Sequence, residues 1–471
     1  MKELHPQKRL RGRIGGVPKE DFNFTDDDWD KHSFVITNDD KRIVNNTGVA
    51  LIGQMLRKTH LDGDLKKLDK PKNLKHSNYD CIAGYVGLLA QGKTAYEALK
   101  EMHKDPSFYS RALKINSIPS VETLRQRLDM LGPYLADSNL IQEVNERLLA
   151  TVGAKFSLTF SPHIPLDIDV SIHDNSDTKK EGVERTYAGI DGYAPIYAYL
   201  GMEGFIVNTE LRPGKDHSQC AKTVPFLKAS IAASRRLVKE NILVRMDAGN
   251  DAKDNIVVCV TENVDYLIKR NLRNESLEGW LATAKETASL VVTPREGKIE
   301  YTGSIWRDIG LEKPVRIVYQ VIERSIDRHG QIFLAPKIEA NTWWTSLDDM
   351  EEYDVIALYH EHALCEQFHS EIKSDIGLER FPSGYFATNA TILKLAMLAY
   401  NMLRLLGQAT MGTAGKALNR GDIMRLRVKT VIQRLVYMAA HVTQHARRTY
   451  LSLGRSNLWR WVWCNLYTAM A

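Results

Sequence analysis

The chain has 471 residues, of which 63 are Lys or Arg and 58 Asp or Glu, for a formal net charge of +5. That length exceeds what one hydrophobic core serves, so two or three domains are expected, and 44% apolar with 26% charged residues excludes an intrinsically disordered chain. The basic start runs into Asp26, Asp27 and Asp28, and the apolar stretches are broken by Lys, Arg or Asp short of the roughly 18 residues that a membrane span needs. Neither a signal peptide nor a spanning helix is expected.

Residues 1 to about 45 are polar and aperiodic and read as an arm. From Val49 the apolar period is helical, with Leu51, Met55, Leu56, Leu61 and Leu65 on one stripe and Ile82, Tyr85, Val86 and Leu89 on another. Asp105-Pro106 ends a further helix, and Ser120 is placed to cap the segment VETLRQRLDML, which carries Arg125 and Arg127. Residues 46–150 therefore form a helical domain. The pair of helices around Ser120 fits a helix-turn-helix entering a DNA groove or an ordinary bundle equally well.

After about residue 155 the period becomes strand-like. IPLDIDVSI places Leu166, Ile168 and Val170 on one face and Asp167, Asp169 and Ser171 on the other, as in a strand whose polar face borders a site. Two strands joined at Glu203-Gly204 follow, then a long amphipathic helix from about Ser218 to Lys239. ILVRMDAGN is a strand that delivers Asp247 at its end, and VDYLIKR closes the run. Strand, strand, strand, helix, strand, helix, strand is the order of a ribonuclease-H-like α/β domain. Residues 272–353 are rich in strands with Gly turns and read as an inserted β subdomain. From Ile356 the chain is expected to be helical nearly to its end, and the ribonuclease-H-like domain to span residues 155–400.

The segment LYHEHALCEQFHSEIKSD makes the carboxylates informative as a set. At about 100° per residue, Tyr359, His362, Glu366 and Lys373 fall within an arc of about 60°, while Leu358, Ala363, Cys365 and Ile372 form a separate apolar surface. An Asp at a strand end is otherwise often only a turn former. Together these residues resemble the insertion-sequence transposases of the DDE class, whose helix signature is Y-x2-R-x3-E-x6-K. Tyr359, His362, Glu366 and Lys373 keep the spacing, with His in place of Arg. The segments DIDVS, LRPGKDHS, ILVRMDAGN and DPSFYSRALKINSIPSVETL look closest to the thirteen-eighty branch, over roughly Val49 to Leu406.

The resemblance implies Asp169 as the first catalytic Asp, with Asp167 as its alternate, Asp247 as the second, and Glu366 as the Glu. It implies two divalent ions, Mg²⁺ or Mn²⁺, bridged by Asp169 and held by Asp247 and Glu366, for hard cations choose oxygen donors and activate water, then a 3′-hydroxyl, for attack on phosphorus. His362 and Lys373 would contact phosphate, Tyr359 would position backbone, and Trp343, Trp344 or Trp306 could stack an extruded base, unless they are core residues. The implied activity is cleavage at the ends of an insertion sequence and transfer into target DNA. A nuclease that does not join, or an inactive DNA-binding protein, are the alternatives.

The implied partners are terminal inverted repeats, target DNA and a second copy of the chain. Residues 401–471 form a basic C-terminal region: ten basic residues between Lys416 and Arg460, Arg425 and Arg427 among them, face one acidic residue, Asp422. Such a block favours phosphates in a salt-dependent way. Five separated cysteines without a zinc-type spacing suggest reduced, buried thiols and a reducing cytoplasm, which the resemblance implies to be bacterial and close to the nucleoid.

Overall fold

The computed structural model describes residues 41–69, 74–216, 220–327, 329–418, 423–446 and 448–470. The expected arm up to residue 40 lies outside the described residues, as do Arg420, Asp422 and Arg447 and the side chain of Lys416.

Two units are distinguished. In the smaller, Ala440–His445 and Arg448–Leu453 form an antiparallel hairpin, and Ile43–Val44 pairs with its first strand. This corrects the expectation of helix nearly to the end of the chain. The hairpin strands, AHVTQH and RTYLSL, alternate polar side chains with few apolar ones, which leaves a weak strand signal.

The larger unit comprises residues 46–438 and 455–471. It opens with helices α1 (Val49–Lys58), α2 (Asn78–Leu89), α3 (Pro106–Leu113), α4 (Val121–Asp137) and α5 (Leu140–Val152). Local chemistry sets their starts. Ser77 and Asp80 form a reciprocal capping box on α2, Asp105 caps α3 with Pro106 in its first turn, and Ser120 accepts from the Thr123 amide to cap α4.

The strands of its main sheet are β1 (His163–Val170), β2 (Ile196–Leu200), β3 (Phe205–Glu210), β4 (Asn241–Met246), β5 (Asp265–Lys269), β6 (Ala288–Arg295), β7 (Lys298–Arg307), β8 (Val315–Ile326) and β9 (Ile332–Thr345). They form one mixed sheet in the order β6-β7-β8-β9-β5-β4-β1-β2-β3. β4 runs parallel to both β1 and β5, and the other neighbours are antiparallel. The strands expected between residues 272 and 353 are present, yet they are not a separate subdomain. β9 pairs with β5 through Trp343, Trp344 and Thr345, so the four strands extend the same sheet.

The unit also holds helices α6 (Thr223–Leu237), α7 (Lys253–Thr261), α8 (Leu277–Thr287), α9 (Glu352–His360), α10 (Leu364–Ser370) and α11 (Phe386–Leu418), with a last helix, Arg460–Ala469, near the end of the chain. Between α9 and α10 lies one 3-10 turn, Glu361–Ala363, and α10 runs on into a π-helical turn, Glu371–Asp375. α9 packs Val355, Ile356 and Leu358 onto Leu243, Leu267, Val318 and Trp343 of four strands. The β2–β3 turn has Gly204 at φ +71°, and a Cβ there would lie 2.4 Å from the Phe368 ring, so glycine lets α10 settle on the sheet. Phe386–Thr413 of α11 is long and apolar enough to cross a membrane, contrary to the sequence expectation, but 89% of its apolar window is buried inside the fold. α11 is the spine of the unit: it packs against α4, α5 and β3.

Candidate active site

Register places the acidic residues. β1 and β4 pair in parallel with Asp167 opposite Arg245 and Ile168 opposite Met246, so one step further Asp169 stands beside Asp247. Neighbouring strands are about 4.8 Å apart and alternate residues share a face. One face therefore carries Asp167 and Asp169 of β1 next to Arg245 and Asp247 at the end of β4.

The two rows differ in charge balance. Arg245, fully buried, grips Asp167 with two parallel bonds, Nε to Oδ1 at 2.6 Å and Nη2 to Oδ2 at 2.8 Å, and gives a third to the Leu358 carbonyl at 2.8 Å. Asp169 and Asp247 have no Arg or Lys partner among the described residues. Asp169 takes its own strand's Val170 amide at 2.7 Å and the His369 Nε2–H at 3.0 Å, and Asp247 takes the Asn250 amide at 2.7 Å. Burial drives the Asp247 carboxyl above its ordinary range and the charge of Asp169 drives it further. Burial also pushes Asp169 up, but the bond and charge of His369 outweigh it and leave Asp169 below its usual value.

The helical run over residues 352–375 crosses this face. His362 Nδ1 donates to Asp167 Oδ1 at 2.9 Å, and His369, whose other nitrogen takes the Tyr199 hydroxyl at 3.0 Å, donates to Asp169. Glu366 lies four residues after the first histidine and three before the second, on the same stripe, and is exposed. Tyr359 packs its ring 5.7 Å from both Trp343 and His362; burial raises its phenol, and Asp247 and Asp169 raise it further.

Asp167, His362 and Cys365 bring metal-type donor atoms within 4.8 Å of one another. They do not fit a cation. Arg245 already occupies Asp167, and burial followed by the charges of Asp167 and Asp169 drives the Cys365 thiol far up, so it stays protonated. The Asp169, Asp247 and Glu366 side chains, oxygen donors without an Arg or Lys partner among the described residues, fit Mg²⁺ or Mn²⁺ better.

The family profile described as transposase DDE domain group 1 matches residues 28–471. The chain belongs to this family. Among curated proteins none matches significantly. A piggyBac transposase, solved as a synaptic complex with hairpin DNA, is similar at a TM-score of 0.40 and 7% identity, over 84% of this chain and 80% of that one.

Several residues expected to touch DNA sit elsewhere in the transposase. His362 is buried against Asp167, with Nε2 enclosed and unpartnered, so it presents no face to a phosphate. Trp343 and Trp344 are core residues: Trp343 packs under α9, and Trp344 donates Nε1–H to Asp251 at 2.9 Å with Arg270 4.5 Å over its ring. Only Trp306 of the three is exposed. Arg425 bonds Glu371 at 2.7 Å and lies 4.7 Å over Phe368, while Arg427 forks onto Asp375 at 2.8 and 3.0 Å. Their charge is balanced by buried acids that the linear count did not include.

Arg125 is exposed but tied to Glu122 and Asp129 of its own helix, and Arg127 donates to Asn78 at 2.7 Å. Lys373, in the π-helical turn, has no ion pair among the described residues. Two residues near the carboxylates were not anticipated. His369 completes the stripe of the Glu366 helix, a signal available in the spacing. Tyr187, exposed at the tip of the hairpin Glu184–Arg185 with Asp191–Tyr193, has its phenol raised by partial burial and then by Asp169, Asp247 and Glu366. All five cysteines are free; Cys81, Cys259 and Cys365 are buried, Cys464 is exposed and Cys220 lies between.

Proposed function

We propose that this transposase cuts DNA at the ends of an insertion sequence and joins those ends to a target, with two divalent ions, Mg²⁺ or Mn²⁺, at Asp169, Asp247 and Glu366. The observation that carries the reading is the contrast between two successive rows of one parallel strand pair. Asp167 faces an arginine, whereas Asp169 faces Asp247 and, among the described residues, has the His369 imidazole but no Arg or Lys as a partner. Adjacent carboxylates repel and are costly to bury unless a positive charge joins them. This favours Asp169 over Asp167.

The order β5-β4-β1-β2-β3, with β4 and β5 parallel to β1 and β2 and β3 alternating, supports a ribonuclease-H-like core over residues 155–400, enlarged by the strands within 272–353. In this reading residues 46–150 read DNA ends, residues 401–471 add a further contact, and a second copy completes the synapsed complex inside a bacterial cytoplasm. Bound divalent ions would supply an activated oxygen nucleophile and neutralise the leaving oxygen. Asp169 and Asp247 supply oxygens from the rigid sheet, and Glu366 closes the set from the helix. Lys373, two turns beyond Glu366 and without an ion pair among the described residues, is available to a phosphate, and the raised Tyr359 phenol stays a neutral donor.

The test is Mn²⁺- and Mg²⁺-dependent nicking of a terminal-repeat duplex. Asp169→Asn, Asp247→Asn and Glu366→Gln should each lower it by roughly 10²-fold or more while the duplex is still bound. Retained nicking removes that residue from the set. Nicked ends that never join to target DNA would show a nuclease, and wild-type protein that binds without nicking would show an inactive copy.

A further inference from the structure

The two histidines that flank Glu366 dock on successive same-face aspartates of β1, His362 on Asp167 at 2.9 Å and His369 on Asp169 at 3.0 Å. Both rings are buried. The region between them is short and irregular: a 3-10 turn precedes α10, a seven-residue helix, and a π-helical turn follows it. A helix of that length has little intrinsic stability, and its register on the sheet must come from side-chain contacts. Arg245 supports the same attachment, reaching the Leu358 carbonyl and, at 3.4 Å, Glu361. Tyr199 fixes the His369 ring from behind.

We infer that His362 and His369 are positioning residues that pin the Glu366 helix to β1 at two points and so place the Glu366 carboxylate beside Asp169 and Asp247. The inference rests on reading those three carboxylates as the ion ligands. It assigns His362 a part different from that of a phosphate-binding arginine, and it makes a stereochemical demand. His362 works through Nδ1 and His369 through Nε2. The side-chain nitrogen of Asn lies where Nδ1 does and that of Gln where Nε2 does, so each histidine has a different amide that can stand in for its contact.

The experiment measures Mn²⁺ binding to the full chain by electron paramagnetic resonance, with thermal melting to confirm folding and hydrogen exchange of the 361–370 amides. His362→Asn and His369→Gln should bind Mn²⁺ within about threefold of wild type. The mismatched amides, His362→Gln and His369→Asn, should lose roughly tenfold or more, the range for residues that orient metal ligands, with faster exchange over 361–370. Folded mismatched variants that bind and exchange like wild type overturn the inference, and so does equal loss in matched and mismatched pairs. Asp169→Asn is the control. If it binds Mn²⁺ as wild type does, the carboxylate reading itself fails; if it loses Mn²⁺ while the four histidine variants keep it, only the positioning role fails.

Discussion

At Asp167 an aspartate that shares its strand face with Asp169 is already paired with one arginine. Alternation along IPLDIDVSI put both on the polar face and could rank neither, because the deciding neighbour, Arg245, lies 78 residues away. The proposed set rests on local patterns: Asp169 and Asp247 near strand ends and Glu366 on a helical stripe. What His362 does was not legible, since its contact is 195 residues distant. The pair it makes is sensitive to pH in a defined direction. Burial pulls the imidazole pKa down, but the charge and bond of Asp167 raise it above 6.5, while Asp167, pushed up by burial, is held below 3.8 by Arg245 and His362. Stability from the raised histidine is complete below about 6.5 and is lost as pH rises through its folded value; that from Asp167 is present above about 3.8 and is lost as pH falls. The wild-type melting temperature should therefore exceed that of His362→Asn most near pH 6 and converge on it in alkali, in thermal melts from pH 5 to 9. Asp167→Asn, which leaves Arg245 buried with a neutral partner, should cost about 3–5 kcal/mol in denaturant titrations.

Elements show a similar divide between what is local and what is not. The strands within 272–353 were legible because β-branched residues alternate there, whereas their fusion to the core sheet depends on β9 meeting β5, and no local pattern encodes that pairing. The basic C-terminal block was legible as charge, but the matching of its Arg425 and Arg427 by buried acids was not. Glu371 is buried between Arg404 and Arg425, and Asp375 is buried under Arg427. These arginines fasten the segment Leu426–Val436 to the π-helical turn after α10. Arg425→Ala with Arg427→Ala should thus cost about 1–3 kcal/mol and speed amide exchange across residues 426–436. The salt dependence of duplex binding should change little in the same double variant. A drop of about two in the slope of log affinity against log salt would instead make both residues phosphate contacts.

For the molecule as a whole, the helical residues 46–150 are not a free-standing reader of DNA. α4 buries Leu124, Leu128, Leu131 and Leu135, and a Cβ on Gly132 would press within 3.0 Å of Thr388 on α11, more than 250 residues on. Lys394 of α11 reaches back to the carbonyls of Leu135 and Ser138. Sequence suggested a groove-entering helix or a bundle, and α4 is built into a bundle whose spine is supplied much later in the chain. A fragment of residues 1–150 should lack that spine and give the circular dichroism and collapsed amide dispersion of a partly folded chain. A cooperative melt of the fragment alone would overturn this. End recognition, if it resides in this region, then has to be assayed in the full chain, with Arg125→Ala expected to have a small effect because Glu122 and Asp129 already hold that guanidinium.

Arg245 has one more consequence, for how the sheet is threaded. β1 presents Asp-x-Asp and β4 presents Arg-x-Asp, so the two strands form a lock with two candidate slots and one tooth. A slip of two residues would preserve the inside-outside pattern of every side chain and set Arg245 against Asp169, silencing the site without unfolding it. In the native threading the same slip is resisted because the tooth also engages the Leu358 carbonyl and His362 shares its slot. Arg245 therefore separates two threadings that side-chain alternation alone cannot tell apart.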